Sequence, residues 1–159
     1  MDMKLIKKFC ESRISRECLN SIHGECHWER VAMFGRRLCY LDPNINQRVV
    51  ELFAYFHDCQ RQNDNYDLEH GPRAALLLDT IRFDLLKNLS EKEFHQLQTA
   101  CRIHTIQKAP TGDVTIDTCI DADRLDLGRI GIIPDPVRMF THKGTMIALS
   151  MQGKEIHSH

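Results

Sequence analysis

Six residues carry most of the chemistry this sequence can do: His27, the adjacent pair His57 and Asp58, His70, His104 and Asp123. Most of them fall on an apolar stripe of helical period, where a hydrophobic side chain belongs. Ile45, Val49, Leu52, Phe53 and Phe56 lie at i, i+4, i+7, i+8 and i+11, and His57 continues that stripe four residues after Phe53. Asp58 follows about 100° round the helix, at the edge of the apolar face. His27 leads Val31, Phe34 and Leu38, and His70 leads Ala74, Leu77, Leu78, Ile81 and Leu85. His104 ends the stripe Phe94, Leu97 and Cys101, and Asp123 sits among Ile116, Cys119, Ile120 and Leu127.

One histidine on such a stripe is ordinarily a hydrogen-bonded core residue. Four histidines and two carboxylates facing one core are a different matter. Buried carboxylates are costly without a cationic partner. A divalent cation is the economical partner. Imidazole and carboxylate together suit Fe, Mn, Co, Ni or Zn, as one ion or two. Ligands from separate helices meeting in a bundle core are an established way to build such a site.

The stretches that must position these residues all have the 3.6-residue period, and none alternates. The expected fold class is therefore all-α, a bundle of six or seven helices in a single domain spanning 1–159. A first helix is expected over about 3–20, with Leu5, Ile6, Phe9 and Ile14 apolar. A second opens near Ser21 to Val31, and there His23 stands one turn before His27. His23 can share a centre with His27, cap the helix, or support a ligand from behind. Leu41-Asp42-Pro43-Asn44 ends that helix and begins the one bearing His57 and Asp58. Gln62 to Glu69 is a polar, turn-forming loop that belongs at the mouth of a site.

His70 begins a fourth helix, and Ser90-Glu91-Lys92-Glu93 is a capping box that starts a fifth. His95 falls off that helix's stripe and is expected in solvent. A sixth helix carries Asp121 and Asp123. Its helical phase turns Asp123 inward and Asp121, about 200° away, outward. Beyond Gly128 the chain is punctuated by Gly and Pro, with a short last helix expected around Thr145 to Met151.

Bulk properties fit this picture. Apolar residues make up 42% and charged residues 27%, with a net charge of -1, so neither a nucleic-acid polymer nor a membrane surface is the expected partner. No apolar run reaches the length of a membrane span. The segment Met-Asp-Met-Lys lacks the apolar core of a secretory leader. Seven cysteines, none in a Cys-x-x-Cys pair, point to a reducing cytoplasm and to thiols used as small apolar residues. Cys10, Cys18 and Cys26 recur every eight residues, a spacing that matches no zinc module.

The ordered set H…HD…H…H…D resembles the HD-domain superfamily of metal-dependent phosphohydrolases. It stands here as His27 in His-Trp-Glu-Arg-Val, His57-Asp58, His70 in Glu-His-Gly, His104 in Ile-His-Thr and Asp123 in Ala-Asp-Arg-Leu. The resemblance covers roughly 20–130 and leaves 131–159 as a C-terminal extension. It implies an HD-type helical bundle with His27, His57, Asp58 and Asp123 as ligands of one metal. In two-metal members His70 and His104 complete a second position, and Asp58 bridges. The chain lacks the Gly-Tyr-Pro segment of the cyclic-dinucleotide phosphodiesterases and the added domains of the (p)ppGpp and dGTP hydrolases.

The function this implies is hydrolysis of a phosphomonoester or phosphodiester, on a nucleotide or another small phosphorylated metabolite. A metal-activated water would be the nucleophile. Asp58 is both ligand and the residue best placed to hold that water. Arg61, one turn beyond His57, and Arg73, one turn into the next helix, are candidates to neutralise phosphate charge. Asp64 and Asp67 are read first as loop formers. Two alternatives stay open: a di-iron oxygenase on the same ligand set, and a non-catalytic regulatory or ligand-binding protein stabilised by metal.

Overall fold

The protein is described from a computed structural model, which covers residues 1–155. The last four residues of the expected C-terminal extension, 156–159, lie outside the described residues. Among the described residues the chain is all-helical: α1 Met3–Glu11, α2 Arg16–Leu19, α3 Glu25–Cys39, α4 Gln47–Phe56, α5 His70–Ile81, α6 Glu91–Ile103, α7 Val114–Arg124 and α8 His142–Glu155. Two short 3-10 turns, Leu127–Ile130 and Pro136–Arg138, lie between α7 and α8.

The first expected helix is two. α1 stops at Glu11, and Ser15 caps α2 by accepting the Cys18 N–H at 3.3 Å. Serine side chains compete for nearby backbone groups, and here they break a continuous run. Ile6 and Ile14 are buried as the stripe requires, while Leu5 faces solvent. The second helix also begins later than expected. Gly24 is its N-cap, so His23 precedes the helix. The capping box at the start of α6 is present, with Ser90 Oγ accepting the Glu93 N–H and Glu93 accepting the Ser90 N–H.

α4 is the central element and packs against α1, α3, α6 and α7, while α5 packs on α6. Val49, Leu52, Phe53 and Phe56 of α4 meet Trp28 and Leu38 of α3, Leu97 of α6 and Ile120 of α7 in one core. Full burial of each such side chain is worth about 1.5–3 kcal/mol. No helix among the described residues is long and apolar enough to cross a membrane. All seven cysteines are free thiols, and only Cys26 is exposed.

α7 corrects one expectation. Asp121 is fully buried, not in solvent. Its carboxylate accepts the Phe140 N–H at 2.8 Å, the Thr141 N–H at 2.8 Å and the Thr141 hydroxyl at 2.7 Å. It thus fixes the chain just before α8. A Cβ on Gly144 would stand 2.2 Å from Asp121 Oδ2, so only glycine lets α8 approach this closely. Helical phase identified the inner face of α7. It carried no information about the second face, which the C-terminal segment covers.

Candidate metal centre

The six residues singled out in the sequence come from the ends of five helices. His27 lies in the first turn of α3, His70 opens α5, and Asp123 is the penultimate residue of α7. His57 and His104 are the C-caps of α4 and α6, where their own N–H groups still bond back to Phe53 O and Ala100 O. Asp58 follows in the turn after α4. The start of α5 reaches the end of α6 because Gly71 has no side chain: a Cβ there would lie 2.6 Å from Cys101 O. That close approach sets His70 beside His104.

Each of the four histidines is oriented through Nδ1. His57 Nδ1 donates toward Phe53 O at 3.0 Å and Ala54 O at 3.1 Å, and His104 Nδ1 to Cys101 O at 2.8 Å. His70 Nδ1 donates to Asp67 O, and His27 Nδ1 to Asp126 Oδ2 at 2.7 Å. A ring nitrogen that donates to a carbonyl or carboxylate carries the proton, so the opposite nitrogen presents a lone pair. All four Nε2 atoms face the interior, where each is an acceptor whenever its ring is neutral. His27 Nε2 lies 3.0 Å from His57 Nε2, and His70 Nε2 lies 2.9 Å from His104 Nε2.

Carboxylate oxygens meet these lone pairs. Asp123 Oδ1 is 3.2 Å from His27 Nε2 and 3.6 Å from His57 Nε2. It is buried and accepts no hydrogen bond among the described residues. Asp58 divides its oxygens: Oδ2 lies 3.4 Å from His27 Nε2 and 3.6 Å from His57 Nε2, while Oδ1 lies 3.0 Å from His70 Nε2 and 3.6 Å from His104 Nε2. Two three-donor sets result, His27–His57–Asp123 and Asp58–His70–His104. Acceptors packed this tightly repel unless a cation lies among them. Donors on a metal with bonds of about 2.1 Å stand roughly 3.0–3.4 Å apart in octahedral or tetrahedral arrangement. The cluster can therefore hold metal ions, and its nitrogen and oxygen donors fit divalent transition metals.

The electrostatics point the same way. Burial works to raise the Asp58 carboxyl, but His57, His104, His23 and His27 hold it well below the usual carboxylate range. Burial of Asp123 is likewise outweighed by His27 and His57. Burial works to lower His27, yet Asp123, Asp126 and Asp58 push it up to about 10. Each shift reports a demand for positive charge where the donors meet.

The surrounding residues separate into roles. His23 Nδ1 lies 3.3 Å from Asp58 Oδ2, at the margin of the set. Arg61 is nearly buried, with side-chain exposure of 10%, and its Nε has no hydrogen-bond partner and stands 3.7 Å from Asp58 Oδ1. Arg73 is differently employed. It donates to Asp67 at 2.6 and 2.7 Å and to Gln60 O at 3.0 Å, which pins the loop after the His-Asp pair. Asp64 accepts the Ser21 hydroxyl at 2.6 Å, so Asp64 and Asp67 both act as loop formers. His95 is exposed.

Two functional neighbours were not singled out in the sequence. Asp126 holds His27 from behind and is itself held by Arg30 Nε at 2.7 Å. Its spacing of three from Asp123 was the available signal, since i and i+3 share a helix face. Arg129 stands 3.7 Å from Asp123 Oδ1, with side-chain exposure of 8%. It lies in a 3-10 turn whose direction no periodicity could give. Comparison with protein-family models, curated proteins and solved structures finds no match to this chain.

Proposed function

We propose that this chain is a metal-dependent phosphohydrolase of the HD-domain kind, acting on a nucleotide or another small phosphorylated metabolite. The observation that carries the reading is Asp58, whose two oxygens face two groups of imidazoles, with an arginine beside them whose Nε donates no hydrogen bond. His27, His57 and Asp123 would hold one divalent cation, His70 and His104 a second, and Asp58 would join them. When bound, such a cation lowers the pKa of its water and polarises a phosphoryl oxygen. Arg61 offers its free Nε–H to a phosphate oxygen next to Asp58. A guanidinium at that place favours an anionic substrate such as a phosphate ester. Arg73 supports the site through the loop it pins rather than by touching substrate.

The test is metal analysis of the purified chain followed by a phosphoester panel with Mn, Fe, Co, Ni and Zn. Turnover of at least one small phosphoester is expected, abolished in Asp58→Ala and weakened chiefly in KM in Arg61→Ala. Full metal occupancy with no turnover across the panel would overturn the reading.

A further inference from the structure

Beside the centre lies a groove of about 480 Å³, a volume suited to a small organic ligand. Its walls are mainly apolar: Phe34, Leu125, Ile132, Ile133 and Met151. Ile132 and Ile133 keep 49% and 43% of their surface in contact with solvent, so a large part of the apolar wall is uncovered. Two residues belong to both the groove and the centre. Asp126 lines the groove and holds His27. Arg129 lines the groove and reaches to 3.7 Å from Asp123 Oδ1.

Arg129 is the more telling of the two. Its NH1 is occupied by Asp126 O at 2.9 Å, but its Nε is buried and has no hydrogen-bond partner among the described residues. A buried guanidinium with an unused donor is costly, and an anion relieves it. Anion recognition at Arg129, an apolar wall on one side and donors for a metal on the other describe a single elongated ligand.

We propose that this groove binds the organic part of a phosphomonoester, a flat apolar or aromatic body, with Arg129 holding a phosphate oxygen at its junction with the metal centre. The proposal rests on the phosphohydrolase reading and adds the class of leaving group. An aromatic body gains from burial against Ile132, Ile133 and Phe34. A compact polar ester leaves that wall bare, so the two classes separate in affinity.

The test uses two phosphonates, which present the anion without a scissile ester. Phenylphosphonate and methylphosphonate are titrated by calorimetry into the full chain equilibrated with Mn. Phenylphosphonate should bind at least tenfold more tightly. Ile132→Asp should bring that ratio close to one, and Ile133→Asp serves as a second variant should the first not fold. Leu76→Asp, at an exposed apolar position outside the groove, should keep the wild-type ratio. Arg129→Gln should weaken both phosphonates by about tenfold while the ratio persists. Equal affinities in the wild type, a ratio that survives both isoleucine variants, or unaltered affinities in Arg129→Gln would each overturn the proposal. Hydrolysis of 4-nitrophenyl phosphate, followed in parallel, keeps the two readings apart. Phenyl preference without hydrolysis of this ester or of any in the phosphoester panel supports the groove and sinks the phosphohydrolase. Hydrolysis without phenyl preference overturns the groove alone.

Discussion

His27 gives its Nδ1 proton to Asp126 across 2.7 Å, and this bond decides which nitrogen of His27 faces the centre. Partners of this kind orient a ligand and raise its basicity, and their loss typically costs about 10–100-fold in metal affinity. Asp126→Ala should therefore weaken metal binding by that factor, with Asp126→Asn intermediate because its amide oxygen still accepts. Chelator competition measures this. An affinity equal to wild type would show that Asp126 serves only Arg30.

The two donor sets make distinct predictions for stoichiometry. Wild-type protein should retain two ions per chain after dialysis. Asp123→Asn and His104→Ala should each retain one, because each spoils a different set. Asp58→Ala should retain none, since Asp58 faces both. Elemental analysis of the dialysed proteins decides it. One ion in both wild type and His104→Ala would reduce the centre to its His27 half.

Asp121 and Asp123, two residues apart, should fail in opposite ways. Asp121→Ala strands the Phe140 and Thr141 donors, so it should lower unfolding stability by on the order of 3 kcal/mol and leave the ions in place. Asp123→Asn should remove an ion with little effect on the link to α8. Denaturant unfolding beside metal analysis separates them. Metal loss in Asp121→Ala at full stability would reverse the assignment.

Glu93 predicts part of the acid response. Burial works to raise its carboxyl, but the Ser90 N–H, Asn46 and Arg48 bring it from 4.5 to about 2. A depressed folded value contributes stability that is present above the unfolded pKa and lost as pH falls through the folded one. Wild type should lose stability between about pH 4.5 and about pH 2, and Glu93→Gln should lose less over that window. Denaturant midpoints measured across it provide the check. Parallel curves for the two proteins would show that Glu93 is not depressed.

Much of the centre was legible because it stands on helical stripes. His27, His104 and Asp123 sit where periodicity expects a hydrophobe, so their residue types stood out against the pattern. Asp121 was misread because phase reports one face, and α7 is buried on two. Arg61 and Arg73 look alike in sequence. Only the folded chain shows that Asp67 claims Arg73 and leaves the Arg61 Nε free. The break between α1 and α2 was signalled by Ser12 and Ser15, whose capping tendency outweighed an otherwise continuous apolar run. Arg129 had no such signal, since its turn has no period from which to read direction.

The link from His27 to Asp126 spans 99 positions in the chain. An ion held by His27 on its other nitrogen and by Asp123, three positions before Asp126, would tie off a loop that contains nearly all of α3 to α7. A cross-link enclosing about 100 residues restricts an unfolded chain by roughly 4.7 kcal/mol in the simple entropic account. Such a closure can form only after the helices between its ends have been brought together, so it acts late in assembly. Chelation would then resemble the reduction of a disulfide: one long circuit of chain is opened at a single point, while every helix along it keeps its own local hydrogen bonds.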